Sequence, residues 1–246
     1  MPIDANAILN DLQLVAAERR ARAGDPSLQA RVQLIKSYQH RRFALTYADL
    51  LEDPRYAAAS RFFLDELYGP HDFSQRDAQF ERVVPPLVRL FSREIVTTVA
   101  ALARLHALSE SLDTEMGRQF ASSEARVTAA EYLLAWQMTG RAADRSAQID
   151  LIVDVGVALD RYTRRPMLRH SLRLLRGPAA AAGLSDLQRF LETGFDIFRA
   201  MQGAHAFLSL IESRERALGA NLFSPQAIPD EGGRVLLNGT ALGQLP

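Results

Sequence analysis

Apolar residues recur at intervals of three and four along almost all of this 246-residue chain. That spacing restricts it to helices, because side chains three or four apart share one face of an α-helix, whereas a half-buried strand needs strict alternation. The punctuation between the periodic runs agrees. Asp4 is placed to cap a first helix carrying Ile8, Leu12 and Val15, which closes in the basic turn Arg19-Arg20-Ala21-Arg22 before Gly24. Asp25-Pro26 restarts the chain for a second helix with Leu28, Val32 and Ile35, expected to run on toward Leu50. Asp53-Pro54 then opens a third, bearing Phe62, Phe63 and Leu67. Ser74 and Asp77 have capping-box spacing ahead of a helix through Phe80, Val84 and Leu87, which Pro85-Pro86 should bend. A long helix spans about Ser92 to Phe120, and Thr128 with Glu131 forms a capping box for a short helix closed by Gly140.

The pattern that remains predicts a seventh helix from about Ala142 to Arg176. An eighth, opened by Ser185 and Gln188 and ending near Gly219, carries Phe195, Phe198, Met201, His205 and Leu208. The expected fold class is therefore all-α: a single-domain bundle of about eight helices over residues 1–224, with the last two long helices at its centre. Residues 225–246 form a tail, where Asn238-Gly239 between short apolar runs signals a hairpin and a frayed, disordered terminus is the alternative.

Composition removes whole classes of chemistry. Without cysteine there is no disulfide, thiolate metal site, iron-sulfur cluster or cysteine nucleophile, and a reducing cytoplasm is the natural compartment. The 29 basic and 29 acidic side chains balance, so no global field draws the chain to nucleic acid or membrane. No run approaches the ~18 apolar residues that would span a bilayer, and Met1-Pro2-Ile3-Asp4 does not begin a basic-then-apolar leader. Of the 29 basic residues only Lys36 is lysine, and with no glycine beside it a phosphate loop is excluded. The Gly-x-Gly-x-x-Gly, Gly-x-Ser-x-Gly and His-Glu-x-x-His signatures are missing, and none of the five histidines follows a glutamate by three. No metal and no cofactor is expected. His106 and His205 fall on apolar faces of two long helices and could meet as paired haem ligands, although core histidines are the more ordinary outcome.

Three constellations stand out. Phe62-Phe63-Leu64-Asp65-Glu66-Leu67-Tyr68-Gly69-Pro70-His71-Asp72-Phe73-Ser74-Gln75-Arg76-Asp77 joins two helices through a Tyr-Gly-Pro turn. Its aromatics read as core and its charges as a loop-holding network. Its functional reading is a ligand or partner loop of Asp65, Tyr68, Asp72, Arg76 and Asp77, with Arg76 gripping an anion. Next, Arg161, Arg165, Arg169 and Arg173, continued by Arg176, form a stripe on one face of the seventh helix. That is a candidate anion-binding surface, or a solvated face in an arginine-rich chain. Last, Asp150 and Asp154 sit in a run that is apolar nearly all round, so a buried helix with ion-paired carboxylates is expected, a metal or acid-base site being the alternative.

The first segment, followed downstream by Leu108-Ser109-Glu110-Ser111-Leu112-Asp113, resembles a bacterial family of helical proteins without an assigned function, over about Arg31 to Arg216. The resemblance implies a helical architecture and carries over no catalytic residue. The functional expectation is a non-catalytic cytoplasmic binding or interaction protein that self-associates or meets another protein, with no membrane role. The alternative is an enzyme or small-molecule binder with an anion-accepting pocket at the Tyr68–Asp77 loop. A nucleic-acid regulator acting through the arginine stripe is the weakest reading, since neither the net charge nor a recognition motif supports it.

Overall fold

The computed structural model describes residues 5–67, 73–120 and 126–246. It is all-α apart from a small C-terminal sheet. The elements are α1 (Ala5–Ala23), α2 (Pro26–Thr46), α3 (Ala48–Glu52), α4 (Ala57–Phe62), a π-helical turn (Phe63–Leu67), α5 (Ser74–Leu90), α6 (Arg93–Gln119), α7 (Ala129–Thr139), α8 (Ala142–Thr163), α9 (Pro166–Leu174), α10 (Arg176–Ala181), α11 (Ser185–Ala200), α12 (His205–Phe223), then β1 (Ala227–Pro229), β2 (Val235–Leu237) and β3 (Thr240–Ala241).

The spine is α6, not the two C-terminal helices. It packs against α1, α2, α7 and α8, and α8 in turn carries α11 and α12 on its other side. Two glycines let backbones approach. A methyl group on Gly117 of α6 would lie 2.4 Å from Val32 Cγ2 of α2, and one on Gly156 of α8 would lie 2.5 Å from Leu208 Cδ2 of α12. Asp25 caps α2 through the Leu28 amide at 3.0 Å with Pro26 in the first turn, and Thr128 and Glu131 form the expected reciprocal box on α7.

Several expected helices are shorter than their apolar pattern. Arg165 is extended ahead of Pro166, as steric clash with a following proline ring demands, so α8 ends at Thr163 and α9 starts afresh. The periodicity survives the break because Leu168 and Leu172 of α9 still pack on Tyr162 and Phe195. Gln202 and Gly203, at φ 54° and 120°, likewise divide the expected eighth helix into α11 and α12. Tyr47 interrupts the second helix. Ser74 and Ser185 are first helical residues rather than caps, preceded by Phe73 and Leu184, which make no side-chain capping bond. Asp4, the expected cap of α1, lies outside the described residues.

The tail is ordered as a sheet of order β1-β2-β3, antiparallel throughout. Asn238 and Gly239, both at positive φ (51° and 80°), make the expected two-residue turn, a geometry whose twist matches that of the flanking strands. Ala227 and Val235 are buried in one cluster with Tyr132, Trp136 and Leu218, which ties the sheet to α7 and α12.

Candidate functional site along the central helix

The buried apolar residues separate into clusters, and a cavity of ≈ 200 Å³ lies where three of them fail to meet. That is an order of magnitude above the ~10–15 Å³ that admits one water. α6 supplies one wall along its length: Val99, Leu102, Leu105, His106, Ser109, Glu110 and Asp113 recur at helical spacing. From Val99 to Asp113 this face runs roughly 21 Å at ~1.5 Å per residue.

The two ends differ in chemistry. Beside Val99 and Leu102 the walls are Phe80, Val83 and Leu87 of α5 and Leu187, Phe190 and Leu191 of α11. These are mostly half-buried, and Leu191 is 40% exposed. Beside Ser109, Glu110 and Asp113 stand Lys36, Gln39 and Arg42 of α2, Tyr132 and Trp136 of α7, Arg145 and Gln148 of α8, and Glu215 of α12. Of these Gln39, Arg42, Glu110, Asp113, Tyr132, Trp136 and Arg145 are buried, so the polar end is the deep one.

Buried charges persist only when paired. Glu110 accepts from Arg22 Nη2 at 2.5 Å and from Lys36 Nζ at 2.8 Å, while Arg22 Nη1 donates to Thr114 at 2.8 Å. Burial by itself would push the Glu110 carboxyl up; Lys36 and Arg22 outweigh it and hold it at about 2. Asp113, 3.6 Å from Lys36 and accepting from Gln39 at 3.2 Å, is raised because burial outweighs its cationic neighbours. Arg42 donates to Glu215 at 2.5 Å, which also accepts from the Tyr47 hydroxyl at 2.7 Å. Arg145 lies over the Trp136 ring at 4.2 Å and donates to Gln148 Oε1 at 3.3 Å. The Tyr132 hydroxyl and the Trp136 indole N–H have no hydrogen-bond partner among the described residues.

Of the five loop residues singled out in sequence, Arg76 and Asp77 reach this cavity, as does His106 of α6. Arg76 is sandwiched between the rings of Phe73 and Phe190 at 4.1 and 4.4 Å and donates to Glu66 Oε2 at 3.0 Å. Burial pulls its guanidinium below the usual value. Asp77 bonds His106 Nε2 at 2.8 Å and Arg19 at 2.7 Å. Asp65 is instead exposed, 3.8 Å from His40, and Tyr68 and Asp72 lie outside the described residues. The π-helical turn ends directly ahead of those residues.

The arginine stripe does not share one helix. Arg161 lies in the last turn of α8, Arg165 at the break, and Arg169 and Arg173 on α9. Arg161 and Arg165 both clasp Glu94, at 2.5 and 3.3 Å, Arg169 pairs with Asp196 at 2.7 Å, and Arg176 with Glu192. Asp150 and Asp154 are exposed rather than buried, with Asp150 paired to Arg216 at 2.5 Å. His205 is exposed at the start of α12 and cannot meet His106 inside the bundle.

Among the described residues that line the cavity, Ser109 and His106 are not paired as nucleophile and base. The Ser109 hydroxyl donates to the Leu105 carbonyl and accepts from Gln148, leaving His106 to Asp77. Among the described residues no three His, Asp or Glu side chains could hold a metal. Sequence reasoning missed Lys36, Glu110, Asp113, Tyr132, Trp136 and Arg145. Two signals were available: the only lysine of the chain, and two carboxylates set among Leu105, Leu108, Leu112 and Met116 on the apolar face of the longest helix.

Fold and site together define a helical-domain protein enclosing an elongated cavity with one apolar and one polar end. The chain belongs to the family described as Domain of unknown function (DUF8198), whose model matches residues 18–229 and so takes in every residue lining the cavity. No curated protein and no solved structure matches it. No helix among the described residues is long and apolar enough to cross a membrane.

Proposed function

We propose that this is a non-catalytic, cytoplasmic small-molecule-binding protein whose ligand is elongated, with a mainly apolar body lying along α6. One observation carries the reading: a cavity about four helical turns long between core clusters that would otherwise close on one another. Leaving such a volume empty forfeits dispersion contacts on every wall, a cost that an occupant removes. The paired state of the charged groups favours binding over chemistry, because each acid and base already has a partner. Self-association stays part of the proposal, with exposed Leu90, Leu134 and Met138 as apolar surface for it.

The test uses N-phenyl-1-naphthylamine, an uncharged apolar fluorophore. The expected result is saturable binding at one site. Leu102→Trp, which sets an indole across the apolar part, should abolish it while melting stays cooperative, and Leu90→Ala, outside the cavity, should leave it unchanged. Probe uptake that does not saturate, or that survives Leu102→Trp in a folded protein, defeats the reading.

A further inference from the structure

At the deep end of the cavity the acceptors are largely taken. Both oxygens of Glu110 accept, from Lys36 and Arg22, Asp113 Oδ1 accepts from Gln39, and Glu215 Oε1 accepts from Arg42 and Tyr47. Three donors are left over. Tyr132, 1% exposed, keeps an unbonded hydroxyl, Trp136, 8% exposed, an unbonded indole N–H, and Arg42 an unbonded Nε–H. A buried donor without a partner costs ~1–3 kcal/mol, so three at one end of a cavity are a standing demand for an oxygen-bearing guest. Burial holds the Tyr132 hydroxyl above its usual range, which keeps its proton in place as a donor.

Charge points the same way. Lys36, Arg42 and Arg145 oppose the three carboxylates, and Arg22, pressed on Glu110 from behind, leaves one positive charge in surplus. A monoanion restores balance; a cationic head would add to the surplus, and an alcohol would leave it standing. The walls of the opposite end are apolar apart from Arg76, stacked on Phe190, and Leu191 there is 40% exposed.

We propose that the cavity binds a monocarboxylate with an apolar tail, its carboxylate received by the Tyr132 hydroxyl and Trp136 indole beside Arg42 and Arg145, and its tail directed along α6 toward Leu191. This rests on the binding function proposed above and adds the head group and its orientation.

Displacement of N-phenyl-1-naphthylamine by decanoate, decan-1-ol and decylamine separates the two statements. Decanoate is expected to compete at a concentration about tenfold lower than decanol, the ratio that a charge-assisted hydrogen bond of ~1.5 kcal/mol confers. Decylamine is expected to compete worst. Tyr132→Phe keeps the ring stacked 4.5 Å from Tyr38 and removes a hydroxyl without a hydrogen-bond partner among the described residues, so it should melt no lower than wild type and yet lose most of the preference for decanoate. Trp136→Phe provides the same comparison at the indole.

Equal competition by decanoate and decanol overturns the head-group assignment while the cavity reading stands, as does a preference that Tyr132→Phe and Trp136→Phe leave intact. A protein that takes up no probe overturns both.

Discussion

Two glutamates on α6, sixteen residues apart, gather cations, Glu94 two and Glu110 three with Arg19 at 3.8 Å, and they are not equivalent. Glu94, in the first turn, meets Arg161 at 2.5 Å and Arg165 at 3.3 Å; Glu110 meets Arg22 at 2.5 Å and Lys36 at 2.8 Å. The contact lengths overlap. What separates the pairs is water: Arg161 and Arg165 are about half exposed, whereas Arg22 and Glu110 are 5% exposed. An exposed pair exchanges one solvated state for another, but a buried pair whose partner is removed strands a charge in a medium that cannot screen it. Distance thus says little about worth, and burial says most of it.

Glu110→Gln should break the comparison most severely. It leaves Arg22 and Lys36 facing a neutral amide at the cavity wall, and removing one member of a buried pair costs ~3–5 kcal/mol. The midpoint of urea unfolding should fall accordingly. Asp113→Asn, one turn away in the same wall, should leave the unfolding free energy within ~1 kcal/mol of wild type or raise it, because burial already disfavours the Asp113 carboxylate and asparagine keeps the oxygen that Gln39 donates to. Equal losses from both substitutions would show that the network acts through packing rather than charge.

Acid sharpens the same contrast. Glu110 is held at about 2 in the folded chain against 4.5 unfolded, so its stabilisation is complete above about 4.5 and is lost as pH falls toward 2. The shift corresponds to about 3 kcal/mol. The gap in stability between wild type and Glu110→Gln should therefore be constant from pH 5 to 7 and should narrow below about 4.5. A gap that persists undiminished on acidification would mean that the carboxylate is not the group responsible.

The helical class could be read directly because α-helical periodicity and capping chemistry are local: Asp25-Pro26, Thr128 with Glu131, and Asn238-Gly239 each act within four residues. Helix ends were less legible where tertiary packing carried one apolar face across a break, as Leu168 and Leu172 do beyond Pro166. The site was legible only at its edge. Arg76 and Asp77 reach the cavity, but its polar end draws on α2, α6, α7, α8 and α12, and nothing in a one-dimensional pattern says that Lys36 and Glu110, 74 residues apart, share a hydrogen bond. Asp150 shows the converse: an apolar run suggested burial, yet the acid faces solvent and Arg216.

The smallest effect is expected at the other end of the comparison. Glu94→Gln removes the carboxylate from Arg161 and Arg165 together, yet each cation can be solvated where it stands, so the cost should stay under ~1 kcal/mol and shrink further when salt is raised, because exposed pairs are screened. The loss from Glu110→Gln should barely respond to salt, since mobile ions do not enter its surroundings. If Glu94→Gln instead matched Glu110→Gln, the α8–α9 corner would owe its position to that one side chain rather than to Tyr162, Phe195, Leu168 and Leu172, which pack beneath it. The arginine stripe would then be part of the framework of the fold. The small effect would fit a solvated face, on which Arg161 and Arg165 already pair with Glu94, Arg169 with Asp196 and Arg176 with Glu192.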